Sequence, residues 1–247
     1  MKKLFPTLLL VAAILIGCES NSMQEVPETP GTDPDIPSFS VQTPTTDPTT
    51  EPTTEPPQPV YVYAGAMEDY LLPIEEFSWE RKYAPEFVMI HFTSAVVKHR
   101  NDPCNITYIR QTFIDYDVSI HYIIERDGTI RCYIPEDRVA WHAGKGQWAN
   151  DEKYTNNMNQ YAIGIELVAI GSKSDMSIFI SGSTYNKIDP QYIGFTDAQY
   201  TSLRALVEDI CSRNQIPMDR DHVIGHEDYT SRKTDPGELF NWDRLLG

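Results

Sequence analysis

Two apolar runs constrain the fold of this chain most: PEFVMIHFTSA at residues 85–95 and YAIGIELVAI at residues 161–170. Each reads as a buried strand, and the first ends in polar groups. Ile106, Ile109 and Phe113 fall at helical spacing in NITYIRQTFIDY, and VSIHYIIERDGTIRCYIP reads as two strands joined at Asp127-Gly128, a hairpin signal. The clearest helix is TDAQYTSLRALVEDICSRN, which opens with a Thr-x-x-Gln capping box and sets Leu203, Leu206, Val207 and Ile210 on one face. Strands and helices interleave, so the expected class is α/β, a single domain with a central mixed β-sheet flanked by helices.

This domain is expected over residues 61–247. Residues 1–17 have the layout of a secretory signal, with Lys2 and Lys3 ahead of an apolar run too short to span a bilayer comfortably. LIGC resembles the lipobox of bacterial lipoproteins, which implies cleavage before Cys18 and lipidation of that cysteine. Residues 18–60 are rich in Pro, Thr and acid, with the imperfect repeat TPTTDPTTEPTTEPPQP, and read as a lipid-anchored tether. Such a segment, about 40 residues at about 3.1 Å each, reaches on the order of 120 Å when extended. The expected location is therefore the cell envelope, exported and held to a bacterial membrane. A formal charge of −16 offers no basic footprint for nucleic acid. With Cys18 lipidated, Cys104, Cys132 and Cys211 remain; Cys132 and Cys211 read as small buried hydrophobes and Cys104 as the most exposed thiol.

The chemistry concentrates near the end, in HVIGHEDYTSRKTDPGELFNW. A catalytic zinc site takes three protein ligands and keeps a position open. His226 and Asp235 can supply two of the three. His222 and His226 have the spacing of a helical zinc pair, but HVIGH lacks the glutamate of His-Glu-x-x-His, and Val223, Ile224 and Gly225 favour a strand end. Pro236 biases Asp235 towards an extended backbone and Gly237 permits a sharp turn; taken singly, Asp235 reads first as a turn-shaping residue. His91, at the polar end of its strand, is the third candidate. Glu166 sits between Ile165 and Leu167, so its charge needs a partner, a metal-bound water or a raised pKa; the blander alternative is a carboxylate pointing to solvent.

Together MIHFTSA, VSIHYIIERDGTI, VAWHAGKG, YAIGIELV, FTDAQYTSLRALV and VIGHEDY…RKTDPG resemble, in order, the zinc-dependent N-acetylmuramoyl-L-alanine amidases of the type-2 amidase and peptidoglycan-recognition superfamily. The resemblance implies one zinc ion held by His91, His226 and Asp235, with Glu166 and Lys233 as catalytic residues. Glu166 would relay the proton of the attacking water to the leaving amine, while Lys233 would help zinc stabilise the developing oxyanion. It implies peptidoglycan or muropeptides as substrate, cut between N-acetylmuramic acid and L-alanine. Trp141, His142 and Thr93 become candidate substrate contacts, with packing or strand termination as the plainer readings. His121 reads as structural and His99 as solvated. Two stretches depart from the family's compact members: residues 171–195, an excursion or flap, and residues 67–86, read as an additional helix near the entrance. A monomer is expected. The alternatives are a non-catalytic anchored recognition module and a zinc peptidase acting within the stem peptide.

Overall fold

A computed structural model describes residues 61–247, so the segments read as a signal peptide and a tether, and Cys18, lie outside the described residues. Among the described residues there are seven strands: β1 (Ser78–Glu80), β2 (Phe87–Thr93), β3 (Tyr122–Ile124), β4 (Ile130–Cys132), β5 (Arg138–Ala140), β6 (Ala162–Val168) and β7 (Val223–Gly225). The α-helical segments are α1 (Ile74–Phe77), α2 (Ile106–Asp115), α3 (Gly182–Tyr185), α4 (Asp197–Asn214), α5 (His226–Tyr229) and α6 (Trp242–Leu246). Five strands form the main sheet in the order β4-β3-β6-β2-β7. β2 is parallel to β6 and β7, β6 is parallel to β3, and β4 closes antiparallel on β3, so the sheet is mixed as expected.

The two apolar runs are its central strands, β2 and β6, buried along their whole length. Their alternation divides the interior. Val88 and Ile90 of β2, with Ile163, Ile165 and Leu167 of β6, pack on Leu203, Leu206, Val207 and Ile210 of α4. Burying one such side chain fully contributes about 1.5–3 kcal/mol, so this layer holds α4 on the sheet. The intervening positions face the other way: Phe87, Met89 and Ala162 pack with Ile224 and Tyr229, and further along that face stand His91 and Glu166.

The start of α4 is fixed by its capping box. Thr196 accepts from the Gln199 N–H, and the Gln199 side chain returns the bond to the Thr196 N–H. Gln199 is wholly buried, and its Nε2 also donates to the carbonyls of Ile124 and Val168, the last residues of β3 and β6, at 3.1 and 3.0 Å. One amide thus ties the helix to two strand ends. α2 has an Asn105 cap accepting from the Thr107 and Tyr108 N–H groups, and it buries Ile109 and Phe113. Gly128 turns the β3–β4 hairpin at φ 89°.

Residues 67–86 differ from the expected additional helix. Only one turn, α1, forms; Ser78–Glu80 then becomes β1 and pairs antiparallel with β5. Ser78 Oγ donates to the Ile74 carbonyl, and the β5 ladder takes up the following backbone groups, so the costly helical nucleus does not propagate. Residues 171–195 fold against the domain: Met176, Ile180 and Ile188 are buried with Phe92, Ala169 and Ile170. Cys132 and Cys211 are buried, Cys104 is partly exposed, and all three are free thiols.

Removing the Gln199 amide should leave two strand carbonyls and the Thr196 N–H without their partner. Gln199→Ala is expected to lose about 1–3 kcal/mol in urea unfolding, and a loss within experimental error would show that water replaces those bonds at no cost.

Candidate metal centre and active-site cleft

Strand register assembles the site. Glu166 of β6 is the direct partner of His91 on β2. On the other side of β2, Ile90 pairs with Gly225, which places His91 beside His226 at the first position of α5. Three neighbouring strands therefore bring Glu166, His91 and His226 to one level at their carboxyl ends, where open α/β sheets gather functional groups.

Asp235 arrives from a loop tied to the same edge. The Glu227 N–H donates to the Asp235 carbonyl at 2.9 Å, and Gly237 turns the chain at φ 78°. A Cβ on Gly237 would stand 2.5 Å from Asp175 Oδ2, so the turn requires glycine for space as well as for conformation. The Asp235 carboxylate reaches both imidazoles: Oδ2 lies 2.7 Å from His91 Nδ1 and 3.0 Å from His226 Nδ1. The ligand atoms of the three residues all lie within 4.8 Å of one another. Both histidines are 2% exposed, so water contributes little to this contact.

The donor set fits a divalent cation. His226 Nε2 is 2.9 Å from the Ala143 carbonyl oxygen, which can only accept, so Nε2 carries a proton. In the neutral ring Nδ1 is then a bare lone pair, and it faces a carboxylate oxygen that also has only lone pairs. Such a pair is repulsive unless a positive charge, a proton or a metal ion, is shared between them. Burial pushes His91 down to about 4 against the raising pull of its bond to Asp235, which keeps that ring neutral and able to ligate at physiological pH. Burial alone would raise Asp235, but His226 and His91 hold it well below the usual carboxylate range. Two nitrogens and one carboxylate oxygen are the ligand chemistry of a catalytic zinc site.

The same cleft is lined by Glu166, Lys233, Thr93, Ser94, Trp141 and His142. Glu166 is buried, its Oε2 has no hydrogen-bond partner, and the side chain does not point to solvent. Burial, reinforced by the negative charge of Asp235, pushes its pKa well above the ordinary value, while Lys233 pulls it down. Trp141 packs against the half-exposed Trp79 of β1, ring centroids 5.3 Å apart and planes tilted by 46°. The remaining histidines fall outside the cluster. His121 is wholly buried and accepts from the Gly164 N–H; His222 bonds to Asp219; His99 stacks on Tyr108 rather than standing free in solvent.

Several cleft residues carried no legible signal. Met176 and Phe179 line it from residues 171–195, and Phe113 reaches it from α2. Phe113 reads from sequence as a core-facing helix position, and it fills both roles. Asp175 pins the excursion in place: its Oδ2 accepts from the Ser172 N–H at 2.9 Å and from the Glu238 N–H at 3.3 Å, two residues past the Asp235–Pro236 peptide, which is cis.

A family model described as N-acetylmuramoyl-L-alanine amidase matches residues 81–238, a span that contains the whole cluster. The chain belongs to this family. Among its amidase relatives, the 1,6-anhydro-N-acetylmuramyl-L-alanine amidase AmpD of Haemophilus influenzae is 36% identical over 130 residues, covering 52% of this chain and 57% of the relative. N-acetylmuramoyl-L-alanine amidase AmiD of Escherichia coli is 32% identical over 142 residues, 54% of this chain and 45% of the relative. The chain thus spans about half the length of the curated relatives it matches. A crystal structure of an AmpD derivative superposes with a TM-score of 0.50 at 25% identity, covering 74% of this chain and 94% of that one.

The raised pKa of Glu166 makes the metal-free amidase fold sensitive to pH in a defined direction. A carboxyl group whose folded pKa lies above its unfolded value stabilises the fold fully below the unfolded pKa, and that contribution is lost as pH rises through the folded pKa. Glu166→Gln should therefore melt higher than the parent at neutral pH in the presence of chelator. The gain should vanish below the ordinary glutamate range near 4.5. Thermal melts across pH check this, and a pH-independent difference would place the charge of Glu166 in a solvated site.

Proposed function

We propose that this chain hydrolyses the amide bond between N-acetylmuramic acid and L-alanine in peptidoglycan or its fragments, using one zinc ion held by His91, His226 and Asp235. The observation that carries the reading is the convergence of two buried imidazole Nδ1 atoms on one Asp235 oxygen, with Glu166 lining the same cleft. The family match and the amidase relatives support the reaction class. The substrate named for those relatives is brought here as part of the proposal.

Bound zinc supplies a Lewis acid that acidifies water and polarises a carbonyl oxygen. The chain's own groups do the rest. Glu166 has one unpartnered carboxylate oxygen in the cleft and a pKa raised towards neutrality's side of the usual range, which suits a group that takes the proton of the attacking water and returns it to the leaving nitrogen. Lys233 presents a cation to the same cleft, where negative charge grows on the carbonyl oxygen. The aromatic rim at Trp79 and Trp141 offers apolar faces to a sugar or peptide segment, and Thr93 and Ser94 offer hydroxyls close by.

A recognition module without catalysis is the weaker reading, because the complete donor set is joined by a buried carboxylate whose Oε2 has no hydrogen-bond partner. The sequence supports export and anchoring through Cys18, with residues 18–60 as the tether that lets a membrane-held domain reach the wall.

Mass spectrometry of purified muropeptides incubated with the chain tests the reaction. Free stem peptide beginning at L-alanine is expected, and it should disappear with chelator or with His91→Ala. Glu166→Gln should lower kcat by about 10²- to 10⁴-fold. Lys233→Ala should lower it by about 10²- to 10³-fold. A cut inside the stem would select the peptidase instead, and retention of intact muropeptides without any product would select the recognition module.

A further inference from the structure

The His142–Ala143 stretch touches both histidines of the metal centre from behind. His142 Nδ1 lies 3.0 Å from His91 Nε2, and the Ala143 carbonyl lies 2.9 Å from His226 Nε2. Two consecutive residues therefore meet the far nitrogen of each ring. The stretch is itself held by one side chain: Asn159 Oδ1 accepts from the His142 N–H at 3.0 Å and from the Ala143 N–H at 2.8 Å.

From these contacts we infer that His142, Ala143 and Asn159 are positioning residues that fix His91 and His226 as Nδ1 ligands, an inference that rests on the metal centre proposed above. For His226 the partner is a carbonyl, so its Nε2 must donate and Nδ1 is left bare towards Asp235. For His91 the partner is another imidazole, and one proton lies between two nitrogens. If His91 Nε2 holds it, His142 Nδ1 accepts and His91 Nδ1 is free to ligate. If His142 Nδ1 holds it, His91 must keep its own proton on Nδ1, pointing at Asp235, and the lone pair needed by the metal is lost. Ligation by His91 thus requires His142 in the Nε2–H form. His142 Nε2 has no hydrogen-bond partner, so no contact at that nitrogen opposes the Nε2–H form.

Space is reserved for this contact. Gly164 of β6 lies beneath the ring, where a Cβ would stand 2.7 Å from His142 Cγ and Nδ1 and 2.5 Å from Ile120 Cδ1. The glycine in YAIGIELV opens the slot in which His142 lies against His91. His142 is 9% exposed, and the nitrogen facing His91 is already engaged, so its role is to orient the ligand rather than to grip substrate.

The experiment measures zinc affinity of the full chain by competition with a chromophoric chelator, alongside long-range proton–nitrogen NMR of the histidine rings in the zinc-loaded protein. His142→Phe, which keeps a ring but removes the acceptor, and Asn159→Ala should each weaken zinc binding by about 10- to 100-fold. Asn159→Asp keeps an acceptor oxygen and should recover most of the loss. The spectrum of the unmutated protein should show His91 and His226 protonated on Nε2 and bound through Nδ1, and it decides the matter even if a variant fails to fold. Unchanged affinity in folded His142→Phe, or a spectrum with His91 bound through Nε2, overturns the inference while leaving the amidase reading intact. An unmutated chain that binds no zinc overturns both.

Discussion

Two imidazole nitrogens and a carboxylate oxygen meet where little water remains to screen them, and the contact lacks a stable electrostatic solution without a positive charge at its centre. The rest of the site depends on that constraint. Burial keeps His91 neutral and pushes Glu166, one strand away, towards its protonated form, with Asp235 adding to that push, while the two histidines hold Asp235 ionised. Charge at the cluster and protonation at Glu166 are therefore coupled: negative charge on Asp235 raises Glu166, and a cation bound to Asp235 relieves that pressure.

Much of this was legible from residues alone. A polar residue at the end of an apolar strand, as at His91, and an acid flanked by Ile165 and Leu167, as at Glu166, are anomalies that burial must justify, and the parallel register set them side by side. The Pro-Gly pair after Asp235 signalled a fixed loop, and the turn is there. Residues 67–86 were less readable, because their fate was decided by a β5 partner about 60 positions downstream rather than by local propensity. Asn159 was invisible for the same reason: its contacts run to backbone groups of residues 142 and 143, and a hydrogen bond between a side chain and distant N–H groups leaves no periodicity. Residues 171–195 read as polar because their few apolar side chains, Met176, Ile180 and Ile188, are too dispersed to form a pattern, yet they suffice to seal the segment against Phe92 and Ile170.

The excursion also shapes the cleft. Phe179 and Met176 line the same cavity as the proposed ligands, and Asp175 bonds across to the backbone just beyond Asp235. A segment that shapes the rim is thus anchored to the loop that carries Asp235. Changes in the excursion would be felt at the centre through the Gly237 turn, where Asp175 leaves no room for a side chain.

β7 is an edge strand of the main sheet and only three residues long, and it leads directly into His226 and, through the following loop, to Asp235, whereas His91 and Glu166 belong to interior strands. The cluster straddles the seam between that edge and the sheet interior. An ion gripped by all three donors would act as a clasp across that seam, lending the edge a share of its binding free energy, and its escape rate would follow how often the edge frays.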